Sequence, residues 1–409
     1  MTYARAPKDD DAWIAALVER HQPGFGLEQA FYIDGRVFER DLERFFYSHW
    51  FFAGHASRVV EPGDYFVFPL GKSSFVVVRG ADGKIRAFAN VCRHRGSLLC
   101  TKEHGRATRL LCPFHAWSYD TTGRLRSAPN MSEGFDRSGH GLRRIHAREV
   151  FGFVYVSLAE HPPDLEPGIQ AIRSFVEPHG FDQARIAARR EVVLQANWKL
   201  AMENFLECYH CPAAHPEYCT VNPRSHLIGL PNLHPDVASE MLTWIQQAAA
   251  LGHRVGGVAH DGGRHEESCA VNRDPLGAGF LTSSQNGQPV APVMGALNGC
   301  DGGQTQWSIG PVSYGIADCD HAVLFRFLPL APDRTSVSLT WLVHEDAVEG
   351  VDYEVDQVTW MWAATFPQDE ILINETQRGV RSDRYRAGPY ALTESVTLDW
   401  LERYLAEIR

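Results

Sequence analysis

The sequence predicts an α+β protein of two unequal domains, and three observations carry that reading. The chain has 409 residues with 44% hydrophobic content, more than a single core of about 250–300 residues accommodates. Short apolar runs broken by turn dipeptides fill residues 55–165, in "DYFVFPLGKSSFVVVRGADGKIRAFANV", "LLCPFHAWSYDTTGRLRSA" and "FGFVYVSL". That is the texture of a small antiparallel β domain. Beyond "EHPPDLEPG" (160–168), whose prolines and glycine suit a boundary, helical periodicities and strands mix. The expected division is a helical lead-in over 1–45, a β domain over 46–165 and a larger α+β domain over 166–409.

The elements follow in order. "FERDLERFFYSHWFFAG" (38–54) has the apolar spacing of an amphipathic helix running into a buried segment, and the lead-in is expected to pack on the later domain. "LGKS" (70–73) is a fragment of a phosphate loop, with Phe66 where the first glycine would stand, so it reads as a turn. A helix is expected near 168–178, a strand at 188–196, and a strong helix from Asn197 to about Cys211. Residues 250–310, rich in Gly, Asn, Ser and Gln, read as long loops over a pocket. Strands return in "HAVLFRFLPLA" and "TSVSLTWLVHE", and "YEVDQVTWMWAATFPQDEILINETQRG" reads as a helix with Pro367 as a candidate break.

Composition excludes several classes of function. The apolar runs fall far short of the ~20 residues that span a bilayer, so no membrane association is expected. The N-terminus "MTYARAPKDDDAW" has acidic residues where a secretory signal would be apolar, which points to the cytoplasm. The nine cysteines are scattered, and disulfides are not expected in that compartment. A net charge of −11 argues against sequence-independent nucleic-acid binding, which needs a basic stripe.

Two constellations carry chemistry. In the first, Cys92 and His94 in "NVCRHRGSLL" precede Cys112 and His115 in "CPFH", each pair in a turn at a strand end. In the Rieske arrangement two cysteines hold one iron of a [2Fe–2S] cluster and two histidines the other. A Cys2His2 zinc site is the bland alternative, but zinc sites usually group like ligands with like, whereas both turns here are mixed. Arg93, Arg95, Lys102, Arg106 and Arg109 are either a basic rim for an acidic redox partner or ordinary solvated charges. The second lies in "NWKLAMENFLECYHCPAAHPEY" (197–218). Trp198, Ala201, Met202, Phe205 and Tyr209 have helical spacing and should face the core, while Glu203, Glu207 and His210 share another face. Glu203 reads as the i, i+4 partner of Lys199. His215 would point away from His210 in a regular helix, but Pro212 can distort the segment and let the two converge. Two histidines and a carboxylate on one side of an iron leave positions open for oxygen and substrate. The CxxC of Cys208 and Cys211 leaves a zinc site as the competing reading.

Together the two motifs resemble, over nearly the whole chain, the α subunit of a Rieske-type non-haem iron oxygenase. The resemblance implies a catalytic domain with an antiparallel sheet wrapped by helices, a helix-grip or START-like fold. It implies that the third iron ligand is an aspartate of a C-terminal helix, Asp369 in "FPQDEILINETQRG" (366–379); the residues alone would not choose it over Glu370 or Glu375. It implies that Glu207 bridges to a cluster histidine of a neighbouring subunit in a homotrimer. It also implies a flavin and iron–sulfur reductase that passes NAD(P)H-derived electrons to the cluster, with O2 as cosubstrate. Glutamate rather than aspartate at 207, with "TWLVHEDAVEGVDYEVD" (340–356) and "QRGVRSDRYRAGPY" (377–390), resembles the branch of glycine betaine and proline betaine (stachydrine) oxygenases. The implied reaction is N-demethylation by monooxygenation. Hydroxylation or cis-dihydroxylation of an aromatic or other small molecule is the rival, and a non-catalytic Rieske electron carrier the rival of another class. A methylated ammonium is best met by aromatic faces, and Phe205, Tyr209, Trp307 and Tyr314 are the candidates.

Overall fold

The computed structural model describes residues 8–225, 235–263 and 265–409. Two seven-stranded sheets, antiparallel in every pairing, organise it. The first runs Phe51–His55, Phe153–Ser157, Arg144–Val150, Ile85–Ala89, Ser73–Arg79, Asp64–Leu70 and His104–Arg106 across the sheet. A three-stranded sheet of Leu110–Leu111, Ser118–Tyr119 and Leu125–Ser127 lies in the same part of the chain. The runs form strands for the reason the sequence gives: β-branched and aromatic residues such as Val76, Val77, Val78 and Phe88 fit a pleated surface, and all four are buried. Gly71 and Lys72, the middle of "LGKS", turn the hairpin between Asp64–Leu70 and Ser73–Arg79.

The second sheet runs Arg185–Leu194, Arg334–Val343, His321–Ala331, Ser313–Ala317, Gly303–Ile309, Cys269–Pro275 and Gly256–His260. Three of these strands fall where long loops were expected. Polar positions Gln304 and Thr305 are buried in a strand because the sheet, not local propensity, decides their place. The long helix Val355–Val380 crosses Pro367 without ending. Its buried face, from Val358 and Met361 to Phe366 and Ile373, joins the core formed with Phe325, Phe327 and Leu339 of the sheet.

The lead-in folds as Lys8–Glu19, Gln29–Ile33 and Gly35–Asp41, widens into a π turn over Leu42–Phe46, and gives way to the strand at Phe51. The amphipathic helix therefore stops short of 54. Its aromatic residues pack on later parts of the chain: Phe45 and Phe46 lie 5.0 and 4.9 Å from Trp198, and Phe45 packs edge-on to Tyr404. Under them Asp41 accepts from Trp198 Nε1 at 2.9 Å and Tyr404 Oη at 2.7 Å, and pairs with the Lys199 ammonium. Lys199 is thus spoken for by a residue far away in sequence. Glu203 instead accepts from Tyr32 Oη at 2.9 Å, and burial pushes its carboxyl up to about 7. The expected Lys199–Glu203 pair gives way to these contacts because both side chains point into the core, where each needs a dedicated partner.

Two disulfides overturn the expectation of none. Cys208 joins Cys211 and Cys300 joins Cys319. The expectation rested on compartment, whereas the pairing rests on proximity, with Cα atoms 4.9 and 5.3 Å apart. No described helix is long and apolar enough to cross a membrane.

Candidate active site and electron-transfer centre

The two mixed turns of the small domain are copies of one another. The carbonyl of Cys92 accepts from Gly96 N at 3.0 Å and its amide donates to Ser97 O at 2.8 Å; Cys112 repeats the pattern with Ala116 N at 3.1 Å and Trp117 O at 2.8 Å. The residue four places on takes a positive φ in both, 77° at Gly96 and 57° at Ala116. This geometry buries both thiols while the imidazoles lie outward, His94 exposed and His115 half-buried. The two rings sit 4.6 Å apart, and His94 stacks on Trp117.

The donors fit a Rieske cluster. Cys92 and Cys112 are free thiols. Burial alone would raise the Cys112 thiol, but the amides of Phe114 and His115 and the neighbouring Cys92 thiol outweigh it and lower it. The Nδ1 of His115 is buried without a hydrogen-bond partner, as a ligating nitrogen would be. Tyr119 Oη lies 3.4 Å from Cys92 Sγ and accepts from Arg93 N at 3.0 Å. Of the expected basic rim, Arg106 is committed to Asp64 at 2.6 Å and Arg95 lies over the Phe114 ring.

The second centre departs from the regular helix the spacing suggested. Asn197 caps the site helix Trp198–Phe205 by accepting from Lys199 N, and the helix ends before Glu207. Two short helices follow, Cys211–Ala214 and Pro216–Val221, each with proline in its first turn, where a missing amide hydrogen costs nothing. Pro212 therefore starts a helix rather than distorting one. His215 sits at the junction with φ −128° and ψ 72°, so its ring turns back towards His210.

The convergence point is Asp369 on the long helix. Its Oδ1 lies 2.9 Å from His215 Nε2 and 3.3 Å from His210 Nε2. The far nitrogens are engaged as well: His210 Nδ1 meets Glu207 Oε1 at 2.5 Å and His215 Nδ1 meets Gln368 Oε1 at 2.7 Å. Both acceptors are oxygens, so each Nδ1 keeps its proton, and a cation replacing the protons shared between the Nε2 atoms and Asp369 would meet the Nε2 lone pairs, the state a metal-bound imidazole requires. Burial would lower both imidazoles, but Asp369 and Glu207 raise His210 to about 9, and Asp369 raises His215. The negative field that holds protons there would equally hold a divalent cation. Two nitrogens and one carboxylate on one side fit a mononuclear iron with open positions. The competing zinc reading loses its cysteines, because Cys208 and Cys211 are bonded to each other.

An inner chamber of about 40 Å³ opens beside this group, lined also by Phe205, Tyr218, Trp362 and Thr365. It shares Phe205, Glu207, Cys208 and Tyr218 with an adjoining recess of about 230 Å³. Of the four aromatics named from sequence, Phe205 alone lines the chamber. Tyr209 is 63% exposed. Trp307 packs on Phe153 and Phe181 in the core of the sheet's opposite face. Tyr314 touches Phe205 at 5.2 Å but lines another recess with Trp400. Sequence reasoning missed Tyr218, Trp362, Thr365 and Gln368. The spacing of 362, 365 and 369 on one helical face was the available signal.

Comparison with known proteins agrees with this geometry. Residues 49–149 match the model of the Rieske [2Fe-2S] domain and residues 181–407 that of the ring hydroxylating alpha subunit catalytic domain. The glycine betaine monooxygenase oxygenase subunit of Chromohalobacter salexigens is 37% identical over 95% of this chain and 87% of its own length. That of Pseudomonas aeruginosa is 34% identical over 95% and 90%. Among solved structures, the quaternary ammonium Rieske monooxygenase CntA superposes with a TM-score of 0.72 at 20% identity, covering 97% of this chain and 98% of CntA. A naphthalene 1,2-dioxygenase gives 0.69 at 21%, over 94% and 92%; at such identities these two report the fold. The chain belongs to the Rieske non-haem iron oxygenases, as an oxygenase α subunit that works with a [2Fe–2S] cluster, a mononuclear iron, O2 and electrons supplied by a reductase.

Proposed function

We propose that this oxygenase N-demethylates a betaine-type quaternary ammonium compound. The observation that carries the reading is the chamber wall, where Phe205, Tyr218 and Trp362 stand beside His210, His215 and Asp369 with no Lys or Arg among the described lining residues. A trimethylammonium group neither donates nor accepts hydrogen bonds in the ordinary sense. Aromatic faces recognise it through cation–π attraction, worth up to ~2 kcal/mol when desolvated. The carboxylates of Glu207 and Asp369 add to the same field. The names of the relatives at 34–37% identity support the same substrate class.

In this reading Cys92, Cys112, His94 and His115 hold the cluster, and His210, His215 and Asp369 hold the iron. When bound, the cluster supplies electrons one at a time and the iron supplies reductive activation of O2. The chain's own work is positioning and exclusion of water. Glu207 and Gln368 fix the two imidazoles through their Nδ1 protons, and the three aromatics keep an N-methyl carbon against the open side of the site. One oxygen atom enters that carbon and the other leaves as water, with two electrons drawn from NAD(P)H through the reductase. The resulting carbinolamine loses formaldehyde and a proton, leaving the amine with one methyl fewer.

Electron delivery is proposed to run between copies in a homotrimer, from one chain's cluster to the neighbour's Glu207 and iron. The imidazole side of the cluster turns is bordered by exposed Val91, Leu98, Leu111 and Phe114, an apolar surface suited to being covered. The test is a substrate panel with a surrogate reductase, NADH and O2, scoring oxygen uptake and formaldehyde together. Formaldehyde in step with oxygen uptake on a betaine is the expected result. A stable phenol or diol from an aromatic substrate, with betaines inert, would replace this reading.

A further inference from the structure

We infer that Thr365 and Trp362 select for a carboxylate on the substrate, so that the chamber takes zwitterionic betaines in preference to quaternary ammonium compounds lacking an acid group. The inference rests on the quaternary ammonium reading above and deepens it. Thr365 and Trp362 lie four and seven residues before Asp369 on the long helix, on the same face and about 6 and 10 Å along its axis. Both line the inner chamber. They are 2% and 8% exposed, and neither Thr365 Oγ1 nor Trp362 Nε1 has a hydrogen-bond partner.

A contrast within the helix gives this weight. Thr359 and Thr376 each return their hydroxyl to the carbonyl four residues back, Val355 O at 2.9 Å and Leu372 O at 2.8 Å. That is the usual way for a helical threonine to satisfy itself. Thr365, more deeply buried than either, makes no such bond. A buried donor left alone costs about 1–3 kcal/mol, and an indole N–H can only donate. Trp244, Trp341 and Trp400 Nε1 and Thr397 Oγ1 are left alone as well, but Thr365 and Trp362 stand together on the chamber wall, where an acceptor brought in from outside can satisfy both. The N-methyl end of the substrate offers none, whereas a carboxylate offers two oxygens. In a short betaine the acid group is two bonds from nitrogen, so a methyl held at Asp369 leaves the carboxylate about one helical turn away, beside Thr365.

The experiment compares glycine betaine with ethyltrimethylammonium, which keeps the cationic head and has no acceptor. Binding to the iron-loaded, cluster-replete enzyme is measured by anaerobic calorimetry, and KM for glycine betaine by oxygen uptake. Thr365→Val should weaken glycine betaine about 10-fold or more, the loss of a hydrogen bond to a charged group, and leave ethyltrimethylammonium within about 2-fold. Trp362→Phe should act in the same direction, and Thr365→Ser should restore betaine affinity. Equal weakening of both ligands in Thr365→Val, or no weakening of either, overturns the assignment while the substrate class stands. If the unaltered enzyme binds neither ligand, the substrate class itself falls and the inference with it.

Discussion

The two centres are built in opposite ways. Every proposed donor of the cluster site comes from residues 92–115, on two turns whose backbone bonds repeat one another, and its imidazole side reaches the surface. The proposed donors of the mononuclear site lie at 210 and 215, at the two ends of the short helix Cys211–Ala214, and at 369 on the long helix, with His215 at 1% and Asp369 at 9% exposure. Electrons must arrive from another protein, so a carrier is useful only near a surface. Oxidation of a substrate needs water kept away, so its site sits under helices and inherits their stability. The first centre depends on local turn geometry, the second on the tertiary core.

The largest effects should separate the centres completely. Cys112→Ser should abolish the visible absorption of the cluster, and with it reductase-driven turnover, while the iron site still binds metal. His210→Ala should abolish turnover and leave the cluster's absorption and EPR spectrum intact. If His210→Ala also bleached the cluster, the centres would not be independent structural units.

Next in size is the anchor beneath the site helix. Lys199 and Asp41 are fully buried, and removing one partner of such a pair costs about 3–5 kcal/mol. Lys199→Met should lose that much in chemical denaturation of the catalytic part. The cluster core of Val76, Val78, Phe88, Trp117 and Tyr119 is a separate cluster of contacts, so the visible circular dichroism should persist to higher denaturant. Coincident loss of both signals would show one cooperative unit instead.

A smaller, pH-dependent term ties the lead-in to the second sheet. His49 Nδ1 lies 3.0 Å from the buried Glu267 carboxylate and its Nε2 lies 3.8 Å from Glu407. Burial would lower His49, but the two carboxylates raise it to about 10. A histidine raised on folding stabilises fully below its unfolded value of about 6.5 and progressively less as pH climbs towards about 10. The difference in melting temperature between the protein and His49→Gln should therefore be greatest below about pH 6.5 and vanish in strong alkali. A difference that grows with pH would reverse the sign and refute the pairing.

The same division explains what the sequence made legible. That Cys92, His94, Cys112 and His115 come together could be expected because each pair shares one tight turn, and turn chemistry is local. His210 and His215 could be paired, but for a different reason than the structure supplies: the helix ends at Phe205 and restarts after His210. Asp369 came from resemblance alone, since its partners are supplied by folding. Glu203 was misassigned because its hydroxyl partner Tyr32 lies in the lead-in. Trp307 looked as aromatic as Phe205, yet strand alternation sends it to the opposite face. Whatever depended on which side of a sheet or which distant helix a residue meets was beyond local pattern.

The finest comparison is between the two cluster turns, which share a backbone and a leading cysteine but not the residue at the left-handed position. At the left-handed position the first has Gly96, where a Cβ would meet nothing within 4 Å, and the second has Ala116 at φ 57°. A side chain in that conformation costs about 1–2 kcal/mol. Gly96→Ala should thus destabilise by about 1 kcal/mol, through the backbone alone. Ala116→Gly should relieve a similar strain, less roughly 0.5–1 kcal/mol for the extra freedom of glycine in the unfolded chain, and end near neutral or slightly stabilising. Cluster loss on heating measures both. Because the open space at Gly96 rules out a clash, a loss of several kcal/mol there would mean that the turn also flexes to seat the cluster, and the two turns would no longer be equivalent.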